Sequence, residues 1–167
     1  GGMGVTMGIE TRRQLRRAAV KADSYRAALM IEEQVPGSSY RLLYLNGEFI
    51  DAVRRDPPSV IGDGTSSVKA LIGEENTRRL TSDSVTALSP LTIDLEVNST
   101  LSAQGLSLRS VPKCGTSILV KGVVNQNAAR DNHSVRDEVH PSIVQLGQNV
   151  VQRFNIELGG LDLLTTD

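Results

Sequence analysis

Three short apolar runs follow one another at 28–31, 42–45 and 49–53. Pro36-Gly37 separates the first from the second, and Asn46-Gly47 separates the second from the third. Asn-Gly between two apolar runs specifies a two-residue hairpin, because both residues accept positive φ. The pattern predicts a strand, a loop and an antiparallel hairpin. Glu32, Glu33 and Gln34 stand where the first strand runs out. Carboxylates and free backbone groups at a strand end can meet a ligand without interrupting a ladder. A solvated loop is the plainer reading of the same residues.

Upstream, Gly1 to Gly4 lead into a short apolar strand ending at Ile9. Glycine N–H groups can approach phosphate oxygens closely because no Cβ intervenes. A frayed terminus or cloning remnant is the alternative for Gly1 and Gly2. Thr11 reads as an N-cap, and Leu15, Ala18, Ala19 and Ala22 recur at helical spacing. Arg12, Arg13, Arg16 and Arg17 fall between them and read as a solvated face. Downstream, Gly62-Asp63-Gly64 is a turn, and Thr65 or Ser66 can cap a helix through Val68, Leu71 and Ile72. Residues 73–95 show little periodicity and read as an insertion or mobile cover. A second short helix is expected from Asp94 to Leu106, ended by Gly105, and a strand from Ser117 to Val120. The polar run 125–140 is a loop. His140-Pro141 opens a helix whose buried stripe is Ile143, Leu146, Gly147, Val150, Val151 and Phe154. Gly159-Gly160 then leads into Leu161-Asp162-Leu163-Leu164. An Asp in an apolar strand is costly to bury unless paired or ligating a cation. Asp162 is therefore either a metal ligand or a strand-end residue near water, and it is the sharpest site candidate.

Composition narrows the picture by exclusion. The chain has 167 residues, enough for one ordinary α+β domain. Eighteen basic residues against nineteen acidic ones give no electrostatic case for nucleic acid or an anionic membrane. No apolar run approaches the roughly 20 residues of a bilayer span, and no signal-peptide segment stands at the start. The single cysteine, Cys114, forms no intrachain disulfide and fits a reducing, cytoplasmic setting. His133 and His140 lack partners at zinc-ligand spacing.

The ordered set Ile31-Glu32-Glu33-Gln34-Val35-Pro36-Gly37, the Asn-Gly hairpin, Arg54-Arg55-Asp56-Pro57-Pro58, Gly-Asp-Gly, Asp137-Glu138-Val139-His140-Pro141 and Gly160-Leu161-Asp162 resembles the ATP-grasp domain of cyanophycin synthetases. It is also similar to the ATP-grasp half of bifunctional glutathione synthetases and to N-acetylglutaminylglutamine synthetases. The resemblance implies an ATP-grasp fold: an antiparallel sheet with helices packed on one face, truncated at both ends. It implies that 1–35 are the end of a small lobe and its hinge. Residues 36–167 would then be a large lobe with a mobile insertion near 73–95. The implied activity is ATP-dependent carboxylate–amine ligation through an acylphosphate, acting on amino acids or peptides, with ATP and magnesium. The isolated chain is expected to be inactive. A homo-oligomer is left open.

Carried onto this sequence, the resemblance puts adenine at Ile31 to Val35. Glu32 would face the base edge and the backbone of Gln34 and Val35 would bond it, beside Glu33. Gly2 and Gly4 would close over the phosphates, and Asn125 would line them. Arg41 and Arg54 or Arg55 would face the nucleotide or the acyl substrate, with Arg41 and Arg54 taken as the catalytic residues, and Asp162 would be a magnesium ligand. Three positions depart from the family pattern. Ser39 stands where a ribose-binding carboxylate is common, Asn127-Ala128-Ala129-Arg130 replaces a Ser-Thr-Gly-Gly stretch, and Ser134 replaces an acid. These departures support an alternative reading, a degenerate module that binds nucleotide or a partner without ligation. A purely structural α+β domain is the third.

Overall fold

The computed structural model describes residues 4–25, 28–81, 89–124 and 131–166. The chain forms two compact units, Gly1–Gln34 with Pro57–Ala129, and Val35–Asp56 with Arg130–Asp167.

The first unit holds α1 (Arg12–Asp23), β3 (Ser59–Ile61), α2 (Val68–Thr81), α3 (Leu95–Ala103) and β4 (Ser117–Leu119). Thr11 and Gln14 build a capping box at α1: the Gln14 N–H donates to Thr11 Oγ1 at 3.2 Å, and the Thr11 N–H to Gln14 Oε1 at 2.8 Å. At α2 the Ala70 N–H donates to Ser67 Oγ at 3.3 Å, so the hydroxyl cap lies at Ser67 rather than at 65 or 66. Asp94 caps α3 through the Val97 N–H, and Gly105 follows that helix at φ +70. Strands β3 and β4 pair antiparallel, Val60 opposite Ile118. Val60, Val68, Leu71, Ile72, Leu91, Val97, Leu101, Ile118 and Val120 form the core.

Three expectations are corrected in this unit. Residues 73–81 are helix, not cover, and their buried positions continue as Glu75 and Arg79. Residues 5–9 and 28–31 form no strand. Met30 and Ile31 are each 79% exposed. An apolar run becomes a strand only when a neighbour completes its hydrogen-bond ladder, and among the described residues no ladder involves either run.

The second unit holds β1 (Ser38–Leu45), β2 (Glu48–Arg55), β5 (Asn132–Ser134), α4 (Pro141–Arg153) and β6 (Leu158–Thr165). The four strands form one antiparallel sheet in the order β5-β2-β1-β6. Asn46 and Gly47 turn at φ +51 and +81, as the hairpin requires. The β1–β2 register slips by one residue between Leu43 and Tyr44, leaving Ile50 as the extra residue of a bulge. Leu42, Tyr44, Ala52, Val135 and Val151 make the core between α4 and one sheet face. His140 caps α4 with Pro141 in its first turn, and Asn155 closes it at φ +51. Of the expected α4 stripe, Gly147 and Val151 are buried and Leu146 and Phe154 are exposed. The helix stops at Arg153, which leaves Phe154 as its cap.

Gly147 is where α4 meets the sheet. A Cβ there would collide with the Tyr44 hydroxyl and ring, and that hydroxyl donates to Val144 O at 3.0 Å. Gly147→Ala should therefore destabilise the chain by about 1–3 kcal/mol. Gly73 sits in α2 with nothing near its missing Cβ. Gly73→Ala should instead stabilise by about 0.5–1 kcal/mol. Urea unfolding followed by circular dichroism checks both signs.

Candidate functional site

Pleating divides the four-stranded sheet into two faces. Tyr40, Leu42 and Tyr44 of β1 face α4 together with Ala52 of β2 and Leu161 and Leu163 of β6. Ser39 and Arg41 fall on the other face. The register sets Arg41 opposite Asp162 and Ser39 opposite Arg55, so these four residues meet there.

Their geometry is a single hydrogen-bonded cluster. Arg41 grips Asp162 with two parallel bonds, Nε to Oδ1 at 2.8 Å and Nη2 to Oδ2 at 2.9 Å. Arg55 Nη2 donates to Asp162 Oδ1 at 3.0 Å and to Ser39 Oγ at 2.9 Å. The Arg41 and Asp162 side chains are 53% and 54% exposed, and that of Arg55 only 18%. Arg55 Nε is buried without a hydrogen bond among the described residues. Two guanidinium cations against one carboxylate leave the cluster net positive. The Arg41 bond, with charge from Arg55 and Arg41 added, holds the Asp162 carboxyl below its usual value, while partial burial opposes this. Arg41 is raised in turn by the same bond.

Arg54, the residue expected beside Arg41, lies on the opposite face. Its Nε donates to Asp56 Oδ1 at 3.1 Å, and His133 Nε2 stands 3.1 Å from Asp56 Oδ2. The bulge explains the exchange. An unbroken two-residue hairpin would put Arg54 opposite Ser39, and the extra residue Ile50 puts Arg55 there instead. Nothing in the residue types of β2 announces that bulge. Ser134, noted as a departure, donates its hydroxyl to Asp51 Oδ1 at 3.2 Å.

The other candidates belong mainly to the first unit. Glu32 and Glu33 are exposed outside any helix or strand, and Gln34 Oε1 accepts from the Gly8 N–H at 2.8 Å. That bond ties the glycine-rich segment to the expected hinge. Gly4 turns at φ +85 against the Tyr25 ring. Val35 opens the second unit and is exposed. Gly2 and Asn125 lie outside the described residues. Cys114 is free and exposed.

The Asp162 shift carries a stability signature. A carboxyl that titrates lower when folded contributes fully above its unfolded value, near 3.8, and loses that contribution as pH falls through the folded value. More than half of the side chain is exposed, so the contribution is below about 1 kcal/mol. Asp162→Asn should be less stable than wild type at pH 7 in low salt, and the gap should shrink as pH falls from 7 into the acid range below 3.8. Urea titrations of both proteins across that range provide the check. A gap unchanged by acid would contradict the assigned pairing.

No family model matches the chain. A cyanophycin synthetase of Nostoc sp. is 30% identical over 167 residues, covering 99% of this chain and 18% of that protein. The glutathione biosynthesis bifunctional protein GshAB of Clostridium perfringens is 28% identical over 139 residues, covering 83% of this chain and 18% of the relative. In structure, a bifunctional glutathione synthetase from Pasteurella multocida matches with a TM-score of 0.58 at 25% identity, over 99% of this chain and 23% of that one. The chain spans about a fifth of the length of the curated relatives it matches. Over nearly its whole length the chain is thus similar to one segment of a cyanophycin synthetase and of bifunctional glutathione synthetases, and its fold is that of an ATP-grasp domain.

Proposed function

We propose that this chain is part of an ATP-dependent ligase that joins a carboxylate to an amine, with amino acids or peptides as substrates. The likeness to a cyanophycin synthetase over 99% of the chain carries the reading. The open-face cluster supplies residue types that the chemistry calls for. A substrate carboxylate oxygen attacks the γ-phosphorus of ATP, the bond to the bridging oxygen breaks, and ADP leaves an acylphosphate. The amine nitrogen then attacks the acyl carbon, phosphate departs, and the nitrogen loses its proton to give the amide. Negative charge gathers on the transferring phosphoryl oxygens, where guanidinium groups act most strongly. Arg41 and Arg55 are the residues for that role, and Asp162 fixes their forks. Adenine is assigned to the stretch Ile31 to Val35, with Glu32 at the base edge.

Magnesium takes oxygen ligands, usually one or two carboxylates besides phosphate oxygens. No three His, Cys, Asp or Glu residues gather in metal-holding geometry among the described residues. Both Asp162 oxygens are engaged by arginine. This donor set does not fit the ion as it stands, so no step is assigned to a metal. The same pairing favours a second reading, a module that binds nucleotide without ligating.

In the full-length protein, Arg55→Ala should lower amine-dependent ADP release by about 100-fold or more. Arg54→Ala, on the other sheet face, should leave it near wild type. Coupled ADP assays with glutamate, aspartate and arginine as candidate substrates measure both. Wild-type turnover that Arg55→Ala leaves intact would sink the site assignment. ATP binding by calorimetry without turnover on any acid and amine pair would favour the second reading.

A further inference from the structure

The first unit carries a charged surface that the ligase chemistry does not use. Arg12, Arg13, Arg16 and Arg17 occupy the first turns of α1, and all four are exposed. They form two like-charge pairs at i,i+4 spacing, which weaken a helix. They also stand at the positive end of the helix dipole, with no acidic residue in the first turn to offset them. Among the described residues none of the four makes an ion pair, whereas Lys21, one turn on, is bonded to Asp94 at 3.2 Å. The arginines border a groove of about 830 Å³ whose other lining residues are Val20, Lys21 and Leu95. Val20 is 75% exposed. The arrangement runs against helix stability and leaves cations and aliphatic surface side by side.

We propose that this arginine face and the Val20–Leu95 groove dock an acidic polypeptide segment that carries aliphatic side chains between its carboxylates. Guanidinium forks match carboxylates bidentately, and the groove accepts the aliphatic side chains that such a segment places among its acids. A nucleic acid fits less well. The patch spans six residues, about 7.5 Å of helix axis, which reaches few phosphates. No aromatic side chain lines the groove to stack on a base. The inference stands apart from the ligase reading, because it uses none of the residues assigned to that chemistry.

Fluorescence anisotropy with the intact chain tests it, using three labelled probes of equal charge: a peptide alternating aspartate and leucine, an aspartate–serine peptide, and a single-stranded oligonucleotide. The aspartate–leucine peptide should bind tightest, with an affinity that falls as salt rises. Arg13→Glu/Arg16→Glu should weaken it by about tenfold or more. Arg13→Gln/Arg16→Gln, which keeps helix propensity, should weaken it by a smaller factor, and far-UV circular dichroism confirms that both variants fold. Absence of binding at millimolar peptide, equal affinity for wild type and variants, or tighter binding of the oligonucleotide would each overturn the proposal.

Discussion

One extra residue in one strand decides the chemistry of the open sheet face. Side chains alternate across a strand, so a one-residue slip exchanges the two faces completely. Ile50 supplies that slip between the Asn46-Gly47 turn and the far end of β2. Beyond it, Arg55 rather than Arg54 joins Ser39, Arg41 and Asp162. The face toward α4 keeps Leu42 and Ala52 buried at the same time. The site and the core are therefore two consequences of the same register. A shift that moved Arg55 off the open face would also turn Ala52 out of the core.

Charge is used differently in the two units. In the second, the Arg41–Asp162–Arg55 cluster is open to water, and its bonds orient the side chains more than they stabilise the fold. In the first, charges are taken inside. Arg79 Nε and Arg78 Nη2 both donate to Glu75 Oε1 at 2.8 Å, with Arg79 fully enclosed. Lys121 is nearly buried between Asp94, at 3.2 Å, and Glu96, at 3.7 Å. Burial pushes the Asp94 carboxyl up, but the Val97 N–H and Lys121 more than reverse this, so it titrates low. Glu96 Oε1 also accepts the Val123 N–H at 3.0 Å, anchoring the chain as it leaves β4. Such buried pairs add little net stability over apolar packing, but removing one partner strands the other. Their role here is to fix where α1, α3 and the β4 exit meet.

The same buried charges explain what the sequence concealed. The stripe of α2 begins with Val68, Leu71 and Ile72 and continues through Glu75 and Arg79. A reading that equates burial with apolarity loses the helix at that change. Asn76 holds the next segment with its side-chain amide, donating to Leu91 O at 3.0 Å and accepting from the Leu91 N–H. That arrangement leaves no periodic trace. The runs 5–9 and 28–31 misled in the opposite direction, since they are apolar but, among the described residues, no strand pairs with them. Of the candidate site, Asp162 stood out as an acid within an apolar strand, and Arg41 was marked by the family resemblance. Ser39 was noticed only as a departure, and it proved to accept a bond from Arg55.

What the residues determined alone was local. Asn-Gly made the hairpin, Thr11 with Gln14 made a helix start, His140-Pro141 opened another, and Gly105 ended a third. Each depends on contacts within a few residues, or on a backbone angle that only certain side chains tolerate. Tertiary structure decided which arginine shares a face with Asp162, which apolar runs pair, and which charges go inside. Those outcomes depend on the register of strands distant in sequence and on partners supplied from elsewhere in the chain. Arg41 and Asp162 are 121 positions apart, and no local pattern can encode that they lie opposite one another.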